Sequence, residues 1–547
     1  MTGSEQTVGS LIAAAEPRDA LPLGDLVARL QAHDLIRGAQ MDGQPAAAAA
    51  VAGTAVRGIA EDSRAVSEGT LFVAVPGFHV DGHAFVDRAA AAGAAAALVE
   101  HPVPGTRLSQ LVVASTRPSL ARAAAWWYRD PSREIATIGV TGTDGKTTTS
   151  FLAAAALEAA GVSTGLIGTV ETRVGAVRDR HEAHVTTPAA PELQATLRAM
   201  HLAGNEAAVV ETTSHALELD RVLDVAYDIA LFTNLTHEHL ELHGTFEAYR
   251  AAKLRLFERL GVGSENPAKT IGGRPWPKAA IVNRDDPSAT WFESAARAAG
   301  AQVLTYGRDA AADVRVTDID EDARRLRIRY AAPSGDGAMD LRLAGRFNAH
   351  NALAVIGLGE ILGLDPAAVR AGLEGVAGVP GRMERIDAGQ PFGLIVDYAH
   401  SPASLQGVLE LLAPIAAARG GGLIAVFGSA GERDTAKRPA MGRIAGDRCR
   451  LVVITDEDPR GEDPAAIIEA IVRGAEAAGR RRGKDVLAIP DRQAAIRAAL
   501  ERAQPGDVVL LAGKGHEPSI LYADGPVPWD EAGAARAGLA ALGFEAR

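Results

Sequence analysis

Glycine, lysine and threonine at close spacing can hold phosphate, and Gly139-Val-Thr-Gly-Thr-Asp-Gly-Lys-Thr-Thr-Thr149 supplies them in one run. The backbone amides of such a loop, with the N-terminus of a following helix, can surround a polyphosphate. Lys146 would reach the terminal phosphates, and the Thr147 hydroxyl would hold Mg²⁺. Gly142, Thr143, Asp144, Gly145 and Thr148 complete the loop. The spacing is not that of the standard phosphate loop, because Val140 stands where the strict pattern needs a glycine. A tight turn capped by threonines would explain the glycines. It would not explain a lysine at a helix N-terminus, where a positive charge is unfavourable.

Two more segments carry groups suited to a divalent cation. Val209-Val-Glu-Thr-Thr-Ser-His215 sets Glu211 just after an apolar run, and Thr233-Asn-Leu-Thr-His-Glu-His239 sets His239 just after another. In open parallel sheets ligand chemistry gathers at the carboxyl ends of strands. Glu211 and His239 on the same rim as Lys146 would suit a second metal ion in a phosphoryl-transfer site. His237, His239 and His243 could equally form a polar or helix-capping group. No His-Glu-x-x-His zinc pattern occurs. Lys253, in Tyr249-Arg-Ala-Ala-Lys253, reads as a helix-surface lysine.

These groups need a scaffold that brings distant loops to one edge. Ile135 to Val140 is a short β-branched run, read as a buried strand, and Thr147 to Ala160 reads as a helix stopped by Gly161. Ala207 to Val210 and Ile229 to Thr233 are further buried-strand candidates. Strand and helix patterns also alternate before Asp130 and again after the Gly378-Val-Pro-Gly381 segment. The expected organisation is α/β: a loose tail over 1–20, a small α/β domain over 21–130, a central nucleotide-binding domain over 131–378 and a Rossmann-like domain over 379–547. Pro131-Ser-Arg-Glu is the expected linker, and Gly261 to Lys278 reads as a surface insertion.

Composition narrows the classes. A chain of 547 residues is too long for one ordinary domain and suggests roughly three or four. With 47% hydrophobic and 23% charged residues it is globular rather than disordered. A formal net charge of −12 argues against a nucleic-acid coat. The single cysteine, Cys449, excludes an internal disulfide and a cysteine-rich zinc site. No signal peptide and no membrane span are read, so a cytoplasmic protein is expected.

The motifs together resemble the Mur ligase family, the ATP-dependent amide-bond ligases of peptidoglycan synthesis. The residues that carry the resemblance are the phosphate loop, Glu211 to His215, Thr233 to His239, Lys253, Phe347-Asn-Ala-His-Asn351, Gly381-Arg-Met-Glu384, Asp397-Tyr-Ala-His-Ser-Pro402 and Gly513-Lys-Gly-His-Glu517, in that order. Asp62-Ser-Arg64, Leu71-Phe-Val-Ala-Val with Asp81-Gly-His83, Thr186-Thr-Pro188 and Asp458-Pro-Arg460 point within it to a ligase that adds a diamino acid. The resemblance implies three domains, with UDP-substrate, ATP and amino acid bound in chain order. ATP would phosphorylate the D-glutamate carboxylate of UDP-N-acetylmuramoyl-L-alanyl-D-glutamate, and an amine would attack the acyl phosphate. It implies that Ser63 and Arg64 contact the UDP end, and that Thr186, Thr187, Thr213 and Arg221 hold the muramoyl dipeptide. Asn234, Asn351, Arg382 and Asp397 would contact the nucleotide. Thr147, Glu211 and His239 would hold Mg²⁺, two ions in all, with Lys253 as a carbamate supplying a further oxygen ligand. Small-molecule substrates and a monomer are also implied.

The amino-acid pocket departs from the family pattern. Asp-Asn-Pro-Arg accompanies meso-diaminopimelate selection, and here Asp458 replaces the asparagine while Arg460 is kept. Arg460 could fork to a distal carboxylate, whereas Asp458 would suit the ammonium of lysine or ornithine and could also serve diaminopimelate, whose distal carbon carries an ammonium as well. Arg433, Gly513 and Glu517 match other pocket positions. The reading leans to meso-diaminopimelate. The rivals are another ligase of the same fold, acting on the next step or on a folate, a non-catalytic ATP-binding relative, and a motor or transport ATPase.

Overall fold

The computed structural model describes residues 6–77, 80–180, 185–236, 240–261, 269–271, 274–321 and 325–544. Three sheets organise them, each mostly parallel in its middle and covered by helices.

The first sheet has the strand order 44–46, 36–41, 109–113, 96–99, 70–73, 58–60. Its inner face packs Leu71, Leu98 and Leu111 against Leu26, Leu30 and Trp127. Helix Thr116–Trp127 lies between this sheet and the central body, and Arg122 forms an ion pair of 2.8 Å with Asp224 across that boundary.

The central sheet has eleven described strands. Its middle runs 164–167, 207–211, 136–141, 229–232, 279–283, 302–307, all parallel. Ala136–Thr141 is buried along its whole length because neighbours pair with it on both edges and helices cover both faces. That double burial is why the run is apolar without alternation. Antiparallel strands extend both edges, Glu171–Val174 on one side and Leu326–Ala331 with Gly337–Leu341 on the other. The third sheet has the order 384–385, 393–397, 508–512, 423–427, 451–454, 486–488 and is parallel from 393–397 onward.

Several connections differ from the sequence reading. The leading residues, expected as a loose tail, include helix Val8–Ala14, capped by Thr7. Val8, Leu11, Ile12 and Ala15 share one helical face, and that face packs on the central domain beside Leu193 and Met200. The amide of Val8 donates to Asp179 at 2.7 Å. The expected linker is a tight turn, Pro131–Arg133, with Pro131 and Ser132 buried. Of the expected insertion, residues 262–268 and 272–273 lie outside the described residues. Its flanks are anchored: Trp276 is buried, and the Lys269 ammonium donates to Asp228 at 2.6 Å. No described helix is long and apolar enough to cross a membrane.

Candidate active site

Strand Ala136–Thr141 delivers the phosphate loop to the carboxyl edge of the central sheet, and helix Lys146–Ala159 leaves from it. Both loop glycines are required by geometry. Gly142 has φ +150°, and a Cβ there would lie 1.9 Å from Thr233 Oγ1. Gly145 has φ +81°, and a Cβ there would lie 2.5 Å from Asn351 Oδ1. The helix therefore starts on a left-handed glycine with no capping side chain, so its first amides face the loop. The Lys146 ammonium folds back over the loop and donates to the carbonyls of Gly142 and Thr143 at 3.1 and 2.8 Å.

The neighbouring strand ends hold the loop in place. Asn234 accepts from the Asp144 amide at 2.9 Å and donates to the Asp144 carbonyl at 3.0 Å. Thr233 donates to that carbonyl at 2.6 Å. Thr149 donates to Asn351 at 3.3 Å, tying the loop's helix to helix Phe347–Leu362. Lys253 is not on the surface: it is 1% exposed. Helix Phe246–Glu258 turns it inward, where its ammonium donates to the Gly142 carbonyl at 2.7 Å and lies 4.6 Å from the Tyr249 ring centre.

Glu211 is the hub of the rim. It ends strand Ala207–Glu211, is fully buried, and accepts from the Thr147 hydroxyl at 3.0 Å. Thr169 adds an amide at 3.1 Å and a hydroxyl at 2.9 Å. The same Thr169 oxygen lies 3.0 Å from the Thr186 hydroxyl and, with its own proton on Glu211, accepts from it. Thr187 then donates to the Glu211 carbonyl at 2.6 Å and meets Thr213 at 3.2 Å, and Arg221 donates to the Thr187 carbonyl at 3.0 Å. The phosphate loop is thus joined by hydrogen bonds to every threonine expected to hold the muramoyl dipeptide. A carboxylate surrounded by hydroxyls is an oxygen-rich set that fits a hard cation such as Mg²⁺. His237 and His239 lie outside the described residues, and among the described residues no group of three His, Cys, Asp or Glu gathers as a metal cluster.

The third domain adds Asp397, at the end of strand Gly393–Asp397. Its carboxylate accepts from the amides of Met383 and Ala399 at 2.8 and 2.9 Å. Burial pushes its pKa up, Arg382 opposes the rise, and Asp144 of the phosphate loop adds to it. Asp397 thus lies within electrostatic reach of the loop. Arg382 stacks 4.6 Å over the Tyr398 ring, and its Nε is buried with no hydrogen-bond partner among the described residues.

The expected amino-acid pocket is a buried charge network. Lys514 is 0% exposed and donates to Asp458 at 2.7 Å and to Glu517 at 2.5 Å. Tyr398 donates to the other oxygen of Glu517 at 3.0 Å. Asp458 also accepts from the Leu521 amide at 3.0 Å. Arg460 sits in the left-handed region with φ 55°, and its Nε is buried without a hydrogen-bond partner among the described residues. Arg433 is exposed. Gly513 has φ +99°, and a Cβ there would meet Glu457 at 2.5 Å. Glu457 is buried, and burial pushes its carboxyl up to about 7 against Lys437 and Lys514.

In the first domain Ser63 is buried, whereas Arg64 is exposed and pairs with Asp62 at 2.6 Å. A cavity of about 100 Å³ lies where this domain meets the central one, lined by Glu61, Arg117, Asp220 and Arg221 among others. Glu61 and Arg117 escaped sequence reasoning, as did Thr169, Glu457 and the role of Lys514. Thr169 follows strand Thr164–Ile167, so the strand-end rule that selected Glu211 could have found it.

Known proteins match along the chain. Residues 55–135 match the Mur ligase family catalytic domain, 140–359 the Mur ligase middle domain and 381–515 the Mur ligase glutamate ligase domain. A UDP-N-acetylmuramyl-tripeptide synthetase of Roseiflexus sp. is 50% identical over 495 residues, 89% of this chain and 95% of its own. The chain belongs to the Mur ligase family. A UDP-N-acetylmuramoyl-L-alanyl-D-glutamate–2,6-diaminopimelate ligase of Syntrophomonas wolfei is 39% identical over 87% of this Mur ligase and 93% of its own length. A solved structure of a 2,6-diaminopimelate ligase superposes with a TM-score of 0.61 at 30% identity, over 92% of this chain and 97% of that one. As a Mur ligase the protein is an ATP-dependent, peptide-forming ligase of peptidoglycan synthesis.

Proposed function

We propose that this Mur ligase adds a diamino acid, meso-diaminopimelate in preference to L-lysine or L-ornithine, to the D-glutamate of UDP-N-acetylmuramoyl-L-alanyl-D-glutamate. The observation that carries the reading is the continuous hydrogen-bond path from Thr147 through Glu211 and Thr169 to Thr186, Thr187, Thr213 and Arg221. It sets a phosphate-holding loop beside groups suited to a carboxylate-bearing substrate. A carboxylate is a poor electrophile, so transfer of the terminal phosphoryl of ATP to it creates a leaving group. The loop amides and Lys146 hold the phosphates, and Asn234, Asn351, Arg382 and Asp397 hold the rest of the nucleotide. The amine of the incoming amino acid then attacks the acyl carbon, phosphate leaves with the bonding electrons, and the amine gives up a proton.

Thr147, Glu211 and His239 would hold Mg²⁺, which neutralises crowded phosphate oxygens when bound. Lys253 fits the role of a carbamate. It is buried beside the loop, and carbamylation exchanges its cation for anionic oxygens suited to a hard metal ion. The first domain, placed at 21–130, would take the UDP end through Ser63 and Arg64. The domains at 131–378 and 379–547 would take ATP and the amino acid.

The preference for meso-diaminopimelate rests on charge. Asp458 is already engaged by the Lys514 ammonium, which it shares with Glu517, and by the Leu521 amide. Asp458 therefore does not stand as an open anion for a lysine side chain, and Arg460, with Arg433 and Gly513 nearby in the family pattern, is left to receive a distal carboxylate. The test is phosphate release with ATP, Mg²⁺ and UDP-N-acetylmuramoyl-L-alanyl-D-glutamate, offering the three diamino acids separately. Stimulation by meso-diaminopimelate is expected. Stimulation by L-lysine alone would overturn the charge argument, and stimulation by none would overturn the substrate assignment.

A further inference from the structure

Arg492 is a buried arginine that no motif singles out. It is the first residue of helix Arg492–Glu501, where a cation works against the helix dipole. It is nevertheless 2% exposed, and every one of its side-chain nitrogens is engaged. Nε and one terminal nitrogen fork onto Glu531 at 2.8 and 2.7 Å. The other terminal nitrogen donates to the Asp456 carbonyl at 3.0 Å, and the shared one also reaches the Ala512 carbonyl at 2.8 Å. Trp529 donates to Glu531 at 2.6 Å and fixes the anion in turn.

The two carbonyls are informative. Asp456 stands immediately before Glu457, Asp458 and Arg460. Ala512 ends strand Val508–Ala512 and stands immediately before Gly513, Lys514 and Glu517. One planar guanidinium therefore spans the roots of both loops that form the amino-acid pocket. A lysine could not do so, because it lacks the rigid fork. The spacing matters because Lys514 on one loop must reach Asp458 on the other at 2.7 Å.

We propose that Arg492, clamped by Glu531, is a positioning residue that fixes the separation of the 456–460 and 513–517 loops and thereby the choice of amino acid. The inference rests on the reading of those loops as the amino-acid pocket. Arg492 touches no substrate and acts through the two backbone carbonyls.

The test uses the full-length enzyme and the Arg492→Lys and Glu531→Gln variants, with KM measured for the amino acid and for ATP, and with the ratio of turnover on meso-diaminopimelate to turnover on L-lysine. Loss of a supporting contact behind a binding group is expected to raise the amino-acid KM about tenfold or more and to narrow that ratio, with the ATP KM within about twofold of wild type. A uniform fall in kcat, or equal rises in both KM values, would show a merely structural role and overturn the proposal. If both variants fail to fold, Trp529→Phe, which keeps the fork and removes one bond to Glu531, is expected to shift the amino-acid KM alone by about two- to threefold. An unchanged KM there would also overturn it. A wild-type enzyme indifferent to every diamino acid would instead overturn the reading of the pocket itself.

Discussion

The carboxyl edges of the central and C-terminal sheets solve different problems with different chemistry. The central rim gathers hydroxyl and amide donors, with the cations Lys146 and Lys253 laid on the carbonyls of the phosphate loop. The Thr147 hydroxyl and the amide and hydroxyl of Thr169 surround the buried carboxylate of Glu211, while Asn234 holds the backbone of the loop. The C-terminal rim uses buried ions, with Lys514 between Asp458 and Glu517, and Arg492 on Glu531. A polyanion needs donors and few competing anions. A zwitterionic amino acid must be told from its relatives by where its charges sit, which requires charges held in fixed places. The first rim accordingly suits phosphoryl transfer and the second suits selection of the nucleophile.

The largest way to break this comparison is Lys146→Ala. It is expected to lower ADP formation by about 10³-fold or more, the scale of removing a donor aimed at developing charge. Binding of the UDP-substrate, read by calorimetry, should survive. Near-wild-type turnover would remove the central rim from the chemistry.

Lys514→Met should act next most strongly. It leaves Asp458 and Glu517 facing each other without their cation, and breaking a buried pair in this way costs about 3–5 kcal/mol. Urea unfolding measures the loss, and an undiminished midpoint would show that the C-terminal rim is not held by charge.

Glu457→Gln sharpens the comparison through pH. In the unfolded chain Glu457 ionises near its ordinary 4.5, while in the folded protein burial holds the proton until about 7. The raised pKa favours folding at low pH, and that advantage is lost as pH rises from about 4.5 through 7. Glutamine cannot ionise and escapes the loss. The variant should therefore gain on wild type across this window, by up to about 3 kcal/mol above pH 7. Thermal unfolding at pH 5 and pH 8 reads the difference, and parallel profiles would contradict it.

Asp458→Asn should have the smallest effect. An asparagine oxygen can still accept from Lys514 and from the Leu521 amide. The expected change in the amino-acid KM is about threefold or less, with the order of amino acids kept. A switch of preference would show that Asp458 reads the substrate directly.

The same contrast explains what could be read in the chain. The phosphate loop is contiguous, and the strand before it and the helix after it are written in one stretch, so Gly142 to Thr149 were legible together. Glu211 followed from the rule that chemistry gathers at strand ends. Lys253 did not, because its inward direction depends on how helix Phe246–Glu258 packs beneath the loop. The C-terminal rim was legible only as family motifs. Lys514 and Asp458 are 56 residues apart, and Arg492 and Glu531 are 39 apart. No local pattern announces such pairs, and Asp491-Arg492 at a helix start reads as a cap followed by a surface residue. The N-terminal helix was the reverse case. Its apolar spacing at Val8, Leu11, Ile12 and Ala15 is present in the sequence, and the structure uses it to pack residues expected as a loose tail.

The central claim is that phosphoryl transfer belongs to the central rim and amine selection to the C-terminal charge network. Positional isotope exchange in ATP, with Mg²⁺ and UDP-N-acetylmuramoyl-L-alanyl-D-glutamate but no amino acid, separates the two. It is measured on Lys514→Met at a temperature where circular dichroism shows the variant folded. The account predicts exchange within a few-fold of wild type, with peptide formation lost at amino-acid concentrations that saturate wild type. Loss of exchange together with peptide formation would contradict it, because the charge network would then be part of the phosphoryl-transfer site.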